Sequence, residues 1–310
     1  MAFFFQIFLA GIAAGCIYAL VALGFTIIFK SSGVINFAQG ELLLLGAYLV
    51  SAGVSQWHLN FFLALFIAIA ITVAIAVAFE RFALRRMIGR PAFSVLMLTI
   101  GLDTLLLTAV IAIWPDVLYA PAAPYSTTAG FDVGGVHITI NDIWTIIVTG
   151  ILCAALYAFF RYTRYGLAMR AAALDQEAAL AVGINVGLVN TFSWAIAAAI
   201  ATIGGFFLAA HLSGVNPGLG VIALVAFPAI ILGGIDSVLG AVVGGLIIGI
   251  VQQLTAGYEN TALIHLFGQS FTLTDKLGPS FDAIAPYLVM LVVLLIRPYG
   301  LFGKRKVERI

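Results

Sequence analysis

The chain has 310 residues, of which 63% are hydrophobic and 9% are charged, and its formal net charge is +1. An ordinary soluble domain carries roughly 25% charged residues, so this composition excludes a soluble globular protein. The near-neutral charge and the lack of a long basic block argue against a nucleic-acid partner. Apolar runs of about 20 residues recur along the chain, the length that a helix needs to cross a bilayer. We therefore predict an all-α, polytopic helical membrane protein in contact with lipid.

Hydropathy predicts nine candidate membrane segments, all helical, because a single-chain span must satisfy its own backbone hydrogen bonds in lipid. They are residues 3–29, 34–52, 61–79, 92–114, 142–160, 188–211, 221–234, 238–257 and 283–297. The segment 221–234 is too short to cross comfortably, and Pro228 and Gly233-Gly234 interrupt it, so it is a candidate re-entrant half-helix. We expect about eight transmembrane segments, discontinuous or re-entrant helices among them, in a single transmembrane domain over residues 1–310.

The basic residues predict the orientation of these segments. Twelve of the fourteen Lys and Arg residues lie in three connections, which are residues 80–91, 161–187 and 297–310. The connections on the opposite side contain one basic residue between them, Lys276; they are residues 115–141, 212–220 and 258–282. The positive-inside rule then places the N-terminus outside and the C-terminus in the cytoplasm.

Polar residues interrupt the second apolar segment in the stretch NFAQGE, which contains Asn36, Gln39 and Glu41. Their spacing predicts a helix start, with Asn36 as N-cap, Gln39 reaching back as in a capping box, and Glu41 in the first turn. A helix over 36–52 extends about 25 Å, slightly short of a full crossing. Two interpretations stay open: a cap at the cytoplasmic boundary, or a discontinuous helix whose amide-rich start lines a transport path. Within such a path we expect Glu41 to pair with an ammonium group or to fix the neighbouring helix.

The pattern Gly-x-x-[Asn/Asp]-x-x-x-Gly occurs twice, 200 residues apart. Its members are Gly33, Asn36 and Gly40 in the first copy, and Gly233, Asp236 and Gly240 in the second. Each copy follows a segment predicted to run inward and opens an apolar helix predicted to run outward. This arrangement predicts a parallel internal pseudo-repeat, as in several transporter folds.

Asp103 lies near the middle of the segment 92–114. A charge there costs at least about 2.5 kcal/mol on insertion scales, so we expect it to face protein or water. A structural acid bonded to a neighbouring helix and a residue of a transport path are both compatible with this position. The candidate translocation-path residues are Asn36, Gln39, Glu41, Asp103, Asp236 and Ser237. The four histidines lie at outer loops or edges, so we predict no catalytic and no metal site.

The longest predicted cytoplasmic connection, residues 161–187, is Ala-rich, helix-forming and lightly charged. A helix exposed to water normally carries more charge on its outer face, so this one is typical of a helix that docks on a partner. An amphipathic helix resting on the membrane surface is the alternative. Gly183 is placed to end the helix in a left-handed conformation, and Asn185 to cap the next span.

Within this connection, the sequence EAALAVG resembles the E-A-A-x-x-x-G loop through which permeases of ATP-binding-cassette (ABC) importers contact their ATPase subunits, although the usual downstream I-x-L-P is absent. Three further stretches, GVINFAQGELLLLGAY, LGGIDSVLGAVVGGLIIG and RPYGLFGK, resemble the branched-chain amino-acid ABC permeases, specifically their H-type subunit. The resemblance runs in consistent order from about residue 10 to 304. It implies ATPase-coupling roles for Arg170, Asp175, Glu177, Ala178, Ala179 and Gly183.

The resemblance implies a multi-pass, non-enzymatic pore subunit of the bacterial inner membrane. Its implied partners are an M-type second permease subunit, two cytoplasmic ATP-binding subunits and a periplasmic binding protein that delivers leucine, isoleucine or valine. The chain has no G-x-x-x-x-G-K-[ST] phosphate loop, so we expect no cofactor in this chain and ATP in the partner ATPases. The alternatives are an ABC permease for urea or short amides, and an ion-coupled secondary transporter that uses Glu41, Asp103 and Asp236.

Overall fold

The structure is a computed structural model that describes residues 2–87, 90–115, 123–127, 129–258, 264–266, 269–271 and 281–303. Helices make up most of this part of the chain. They are α1 (Ala2–Ser32), α2 (Gln39–Ser55), α3 (Phe61–Phe82), α4 (Ala92–Ile113), α5 (Ile140–Tyr162), α6 (Arg164–Leu174), α7 (Gln176–Ala181), α8 (Val186–His211), α9 (Leu219–Ile222), α10 (Ala226–Gly233), α11 (Val238–Tyr258) and α12 (Phe281–Ile296). Short 3₁₀ turns follow α3 at Leu84–Met87 and α9 at Ala223–Val225.

Six helical segments within the described ranges are long and apolar enough to cross a membrane by length and composition. They are Ala2–Ser32, Phe61–Met87, Phe93–Ile113, Ile140–Tyr162, Val186–His211 and Val238–Tyr258. The apolar segments Leu219–Gly233 and Phe281–Ile296 are shorter. The chain is therefore a multi-pass helical membrane protein, as its composition predicted.

Helix α1 occupies the centre of the bundle, and from Ala13 to Ile28 its residues are buried without interruption. Its main neighbour, α11, approaches it through small residues on both helices. A β-carbon on Gly15 would lie 2.7 Å from the Cα of Leu246, and one on Gly245 would lie 2.5 Å from the backbone nitrogen of Ala19. Small residues at such crossings let helix backbones pack closely where lipid provides no hydrophobic drive to associate.

Two short β-hairpins in the connections accompany the predicted helices, which make up most of the described chain. Strand β1 (Gly130–Val133) pairs antiparallel with β2 (Val136–Thr139), and β3 (Ile264–Leu266) pairs with β4 (Gln269–Phe271). The first hairpin turns through Gly134-Gly135, whose φ values of 62° and 82° are those of a two-residue primed turn. Apolar and polar residues alternate on both sides of this Gly-Gly pair, a pattern that indicates a hairpin.

The short segment predicted over 221–234 ends at the predicted Gly233-Gly234 interruption but is not interrupted at Pro228. It begins as α9, passes through the 3₁₀ turn Ala223–Val225 and continues as α10. Pro228 does not interrupt it, because Pro228 lies in the first turn of α10, where a missing backbone N–H costs no helical hydrogen bond. The end of α10 is set by Gly234, whose φ is 100°.

The connection 161–187 forms two helices rather than one. Asp175 separates α6 from α7, and its side chain accepts a hydrogen bond from the backbone nitrogen of Ala178 at 2.9 Å. An aspartate offers the backbone this local alternative to continued helix, which explains the break. The predicted end signals are confirmed: Gly183 has a φ of 83°, and Asn185 caps α8 by accepting from Leu188 N at 3.0 Å.

Candidate functional site

The NFAQGE stretch lies inside the protein. The side chains of Asn36 and Gln39 are 0% exposed, and that of Glu41 is 4% exposed. Helix α2 begins at Gln39, three residues later than predicted, and its N-cap residue Ala38 makes no side-chain capping bond. Asn36 Oδ1 instead accepts from the backbone nitrogen of Ala38 at 3.1 Å, which closes a turn before the helix. The predicted capping box is therefore wrong.

Gln39 does not reach back because it bonds to another helix. Its Nε2 donates to the carbonyl oxygen of Ala197 in α8 at 3.2 Å. Gly24 of α1 provides the room, since a β-carbon there would overlap the Gln39 amide. Ala197 is the twelfth of the 26 residues of α8, so at 1.5 Å per residue it lies about 17 Å from the start of α8 and about 21 Å from its end. Helix α2 thus begins beside the middle of a membrane-length helix, which favours the discontinuous-helix interpretation over a boundary cap.

Glu41 lies in the first turn of α2, as predicted. Its carboxylate packs against Gly220 of α9, where a β-carbon would overlap it. The backbones meet at the same point, since a β-carbon on Gly40 would lie 2.5 Å from the carbonyl oxygen of Gly220. Of the two roles expected for Glu41, the geometry supports fixing the neighbouring helix.

Three polar atoms at this helix start are buried without a hydrogen-bond partner in the described part of the chain: Asn36 Nδ2, Gln39 Oε1 and Glu41 Oε2. An unsatisfied buried polar group costs about 1 to 3 kcal/mol, and more when it is charged. Folding alone gives no reason to keep such groups at the centre of a bundle. They are therefore candidate contacts for a polar solute.

Asp103 of α4 is half-buried and interacts electrostatically with Glu41. Within the described ranges, no hydrogen bond ties its carboxylate to a neighbouring helix. Thr99, one turn earlier, donates to Leu96 O in its own helix at 2.9 Å and accepts from the backbone nitrogen of Phe37 at 3.4 Å. Thr99 rather than Asp103 therefore joins α4 to the connection that precedes α2.

A cavity of about 310 Å³ opens beside Asn36, between the end of α1, the C-terminal end of α3, the N-terminal part of α4, and the starts of α7 and α8. We call it the inner cavity. Its lining combines apolar side chains with polar ones. The apolar ones include Ile28, Leu84, Val95, Val186 and Trp194, and the polar ones include Asn36, Glu80, Arg85, Thr99, Gln176 and Asn190.

The charged wall of the inner cavity was missed by sequence reasoning. Glu80 is 2% exposed and lies 3.6 Å from Arg85 Nη2, and Thr191 Oγ1 donates to Glu80 Oε2 at 2.7 Å. Arg85 also donates to the carbonyl oxygen of Gly187 at 2.9 Å. The basic residues of 80–91 served only to predict the orientation of the chain. Glu80, an acid at the end of an apolar segment, was nevertheless a signal for a buried ion pair.

Asp236 and Ser237 lie in the turn between α10 and α11, and neither lines the inner cavity. Ser237 Oγ accepts from the backbone nitrogen of Gly240 at 3.0 Å and so caps α11. The structure therefore does not bring the second copy of the pattern to the inner cavity beside Asn36.

The proposed ATPase-coupling residues are grouped around α6 and α7. Arg170, Asp175 and Ala178 are exposed, Ala179 is buried, and Gly183 forms the closing turn, whereas the side chain of Glu177 lies outside the described residues. Three apolar side chains beside them, Leu174, Leu180 and Val182, are 58% to 80% exposed. Gln176 Nε2 donates to Ser31 O at 3.1 Å, which joins α7 to the end of α1.

A family model described as the permease component of branched-chain amino acid transport systems matches residues 7–296. The chain belongs to this permease family. The permease is 30% identical to the high-affinity branched-chain amino acid permease protein LivH of Escherichia coli K12, over 99% of this chain and 98% of LivH. It is 29% identical to BraD of Pseudomonas aeruginosa, which carries the same description, over 97% and 96% of the two chains.

A solved structure of PsaBC from Streptococcus pneumoniae in complex with Fab aligns with 97% of the permease and 94% of the matched chain, with a TM-score of 0.49 and 12% sequence identity. The relatives with which the permease shares 29% to 30% of its residues are transport components, not enzymes. Family membership therefore agrees with the resemblance noted in the sequence.

Proposed function

We propose that this permease forms the path for leucine, isoleucine and valine in an ATP-driven importer of the bacterial inner membrane. It pairs with a second, M-type permease subunit and couples to two cytoplasmic ATP-binding subunits, and a periplasmic binding protein delivers the amino acid. The observation that carries the proposal is the near-full-length similarity to LivH and BraD, both described as branched-chain amino acid permease proteins.

In this proposal the chain crosses the membrane about eight times, with its N-terminus outside and its C-terminus in the cytoplasm, as one transmembrane domain over residues 1–310. The broken helices α2 and α9–α10 supply the discontinuous segments of a parallel pseudo-repeat. Substrate sites of many transporters lie where such helices begin near the bilayer midplane. The contact between Gly40 and Gly220, with Gln39 beside the middle of α8, supports a path at this level.

The α6–α7 connection transmits ATP hydrolysis to this path. This connection carries few charges and exposes apolar side chains. Exposure of apolar surface to water is unfavourable, so these side chains support docking on a partner. The hydrogen bond from Gln176 to Ser31 O supplies a route from α7 to the end of α1, which leads directly into the NFAQGE stretch.

The test is uptake by proteoliposomes that contain the permease co-purified with its partner subunits and supplied with the co-encoded binding protein. We expect uptake of labelled leucine that requires ATP and the binding protein. Uptake of urea or acetamide with leucine ignored would replace the amino-acid substrate with the amide alternative. Uptake that persists without ATP and follows an ion gradient would instead support an ion-coupled secondary transporter.

A separate variant tests the proposed coupling of the α6–α7 connection to the ATPases. Gly183→Leu forces a side chain into a backbone with a φ of 83°, and no atom stands within 4 Å of that position, so the effect stays local to the α7 turn. We expect ATP hydrolysis to continue while leucine uptake falls. Gly150→Leu, within α5 at a position where a β-carbon also meets no atom within 4 Å, is the matched control. Normal coupled uptake in both variants would remove the docking assignment.

A further inference from the structure

The inner cavity has an excess of positive charge on its described lining. Glu80, which is 2% exposed, lies 3.6 Å from Arg85 Nη2, so these two charges compensate each other. Arg90 also lines the cavity, and its guanidinium group has no ion pair or hydrogen bond within the described ranges. The lining therefore has one positive charge without a counter-charge.

Arg90 differs from the other arginines exposed in the same connection. Arg81 and Arg86 are exposed too, but neither lines the cavity. Because Arg90 is exposed and also lines the cavity, it lies where the cavity meets the surface of the protein. Its guanidinium group is therefore available to an anion at the mouth of the cavity.

Further in, the lining residues hold polar atoms that no described residue satisfies. Asn36 is 0% exposed, and neither its Nδ2 nor Arg85 Nε has a hydrogen-bond partner in the described part of the chain. Asn190 Oδ1 is a buried acceptor in the same position. Glu80 is not available to a cation, because Arg85 and Thr191 already hold its carboxylate. An anion that also carries a hydroxyl group would satisfy these donors and the acceptor.

The rest of the wall is apolar and belongs in part to a lipid-facing helix. Ile28, Val95 and Trp194 line the cavity. Val95 lies in α4, and Phe82 and Phe93, at the facing ends of α3 and α4, are 65% and 67% exposed, so this end of the two helices contacts lipid. The volume of about 310 Å³ is at the lower end of the range of about 300 to 1,000 Å³ usual for small-molecule sites. A lipid headgroup fits this space, whereas its acyl chains would remain outside.

We propose that the inner cavity binds a phosphate group, presented by the headgroup of an anionic lipid such as phosphatidylglycerol. The phosphate pairs with Arg90 and accepts from Asn36, a glycerol hydroxyl donates to Asn190, and the apolar wall contacts the start of the chains. Arginine is suited to phosphate because its guanidinium group presents several donors in one plane. Basic pockets between transmembrane helices on the cytoplasmic side commonly hold lipid headgroups, and the arginines of residues 80–91 predict that side here.

The position of the site gives the bound lipid a structural role. Gln176 of α7 lines the same cavity, and its Nε2 donates to Ser31 O at the end of α1. A headgroup in the cavity therefore braces the joint between α7 and α1. The site takes a lipid rather than the transported solute, so it does not depend on the proposed function.

Lipid binding is measured on the complete, co-purified complex in detergent, with bound lipid counted by native mass spectrometry. We expect this chain to retain phosphatidylglycerol in preference to phosphatidylcholine, whose choline cation would meet Arg90. Arg90→Gln should raise the dissociation constant for phosphatidylglycerol at least about tenfold, as expected for the loss of a charge-assisted hydrogen bond. Arg86→Gln is the matched control, since it removes the same charge from the same connection outside the cavity, and it should leave the dissociation constant unchanged.

A second variant and a second ligand locate the site and identify its occupant. Val95→Phe narrows the cavity without changing its charge, so it should also weaken binding of phosphatidylglycerol. Radiolabelled inorganic phosphate, added to the same complexes in equilibrium dialysis, should bind at least about tenfold more weakly than the lipid, because it lacks the apolar contacts. Tight binding of inorganic phosphate that Arg90→Gln removes and phosphatidylglycerol does not displace would support the phosphate site and assign it to the free ion.

Three results would overturn the proposal. Equal weakening by Arg90→Gln and Arg86→Gln would show that the general surface charge of the connection attracts the lipid. Retention of phosphatidylcholine as strong as that of phosphatidylglycerol would show that the charge of Arg90 plays no part. A complex that holds neither phosphatidylglycerol nor inorganic phosphate in a manner sensitive to Arg90→Gln has no phosphate site in the cavity. None of these results depends on leucine uptake, so each leaves the proposed function standing.

Discussion

The two Gly-x-x-[Asn/Asp]-x-x-x-Gly turns share a sequence pattern but differ in what their polar groups do. At the first, NFAQGE begins α2 without a side-chain cap, and Asn36, Gln39 and Glu41 keep buried atoms that have no hydrogen-bond partner among the described residues. At the second, Ser237 caps α11. The pattern therefore predicts where a helix begins in both places. We expect function to depend on which polar groups the rest of the fold leaves without partners.

The difference arises from what packs on each turn. The first turn faces the centre of the bundle, where it packs on Ala197 of α8 and Gly220 of α9. The second turn is covered by the polypeptide near the C-terminus: Leu301 N donates to Leu232 O at 2.8 Å, and Phe302 N donates to Gly233 O at 3.0 Å. Backbone donors near the C-terminus thus satisfy the end of α10, whereas within the described ranges no group pairs with the three unpaired side-chain atoms at the start of α2.

We expect the largest effect from a substitution at the first turn. Gln39→Leu removes one hydrogen bond, worth about 1 kcal/mol, and also one buried unpaired acceptor, which costs about 1 to 3 kcal/mol. We expect the melting temperature to stay constant or rise, while leucine uptake falls at least about tenfold, which corresponds to about 1.4 kcal/mol. Thermal unfolding of the purified complex and initial uptake rates measure the two quantities.

Asp236→Asn, at the position that corresponds to Asn36, is the comparison variant at the second turn, and there we expect uptake within about twofold of the original rate, less than about 0.5 kcal/mol. Parallel losses of stability and uptake in Gln39→Leu would show that Gln39 only supports the packing of α2 on α8. Equal losses of uptake at both turns would show that the two copies share one role.

The next effect tests charge at the first turn. Glu41→Gln replaces the buried carboxyl group, which interacts electrostatically with Asp103, by a neutral amide that keeps the shape against Gly220. We expect a more stable complex whose uptake falls about threefold to tenfold, a change on the order of 1 kcal/mol. Asp103→Asn and the double variant complete a cycle, in which groups that interact give non-additive changes.

If Glu41 and Asp103 act independently, the effects on uptake will add within about 0.5 kcal/mol. That result would show that Asp103 of α4 does not interact energetically with the start of α2. A Glu41→Gln variant with unchanged uptake would limit Glu41 to holding α9 in place.

The sequence predicted those features that depend on neighbours along the chain. Gly183 ends its turn and Asn185 caps α8 because each signal involves residues within three or four positions. Gln39 was assigned to a local capping box, but its partner Ala197 lies 158 residues away, and no local rule identifies such a contact. The pairing of Glu80 with Thr191, 111 residues apart, was missed for the same reason.

The smallest expected effect concerns the second turn. Ser237→Ala removes the oxygen that accepts from Gly240 N, and loss of such a cap costs about 1 kcal/mol. We expect the melting temperature of the complex to fall by about 2 °C, with leucine uptake per inserted molecule unchanged. Ser237→Thr, which keeps a capping oxygen, should restore the melting temperature. A loss of uptake in Ser237→Ala without a loss of stability would contradict the distinction between the turns, because a capping residue would then act in transport and the second copy would belong to the path.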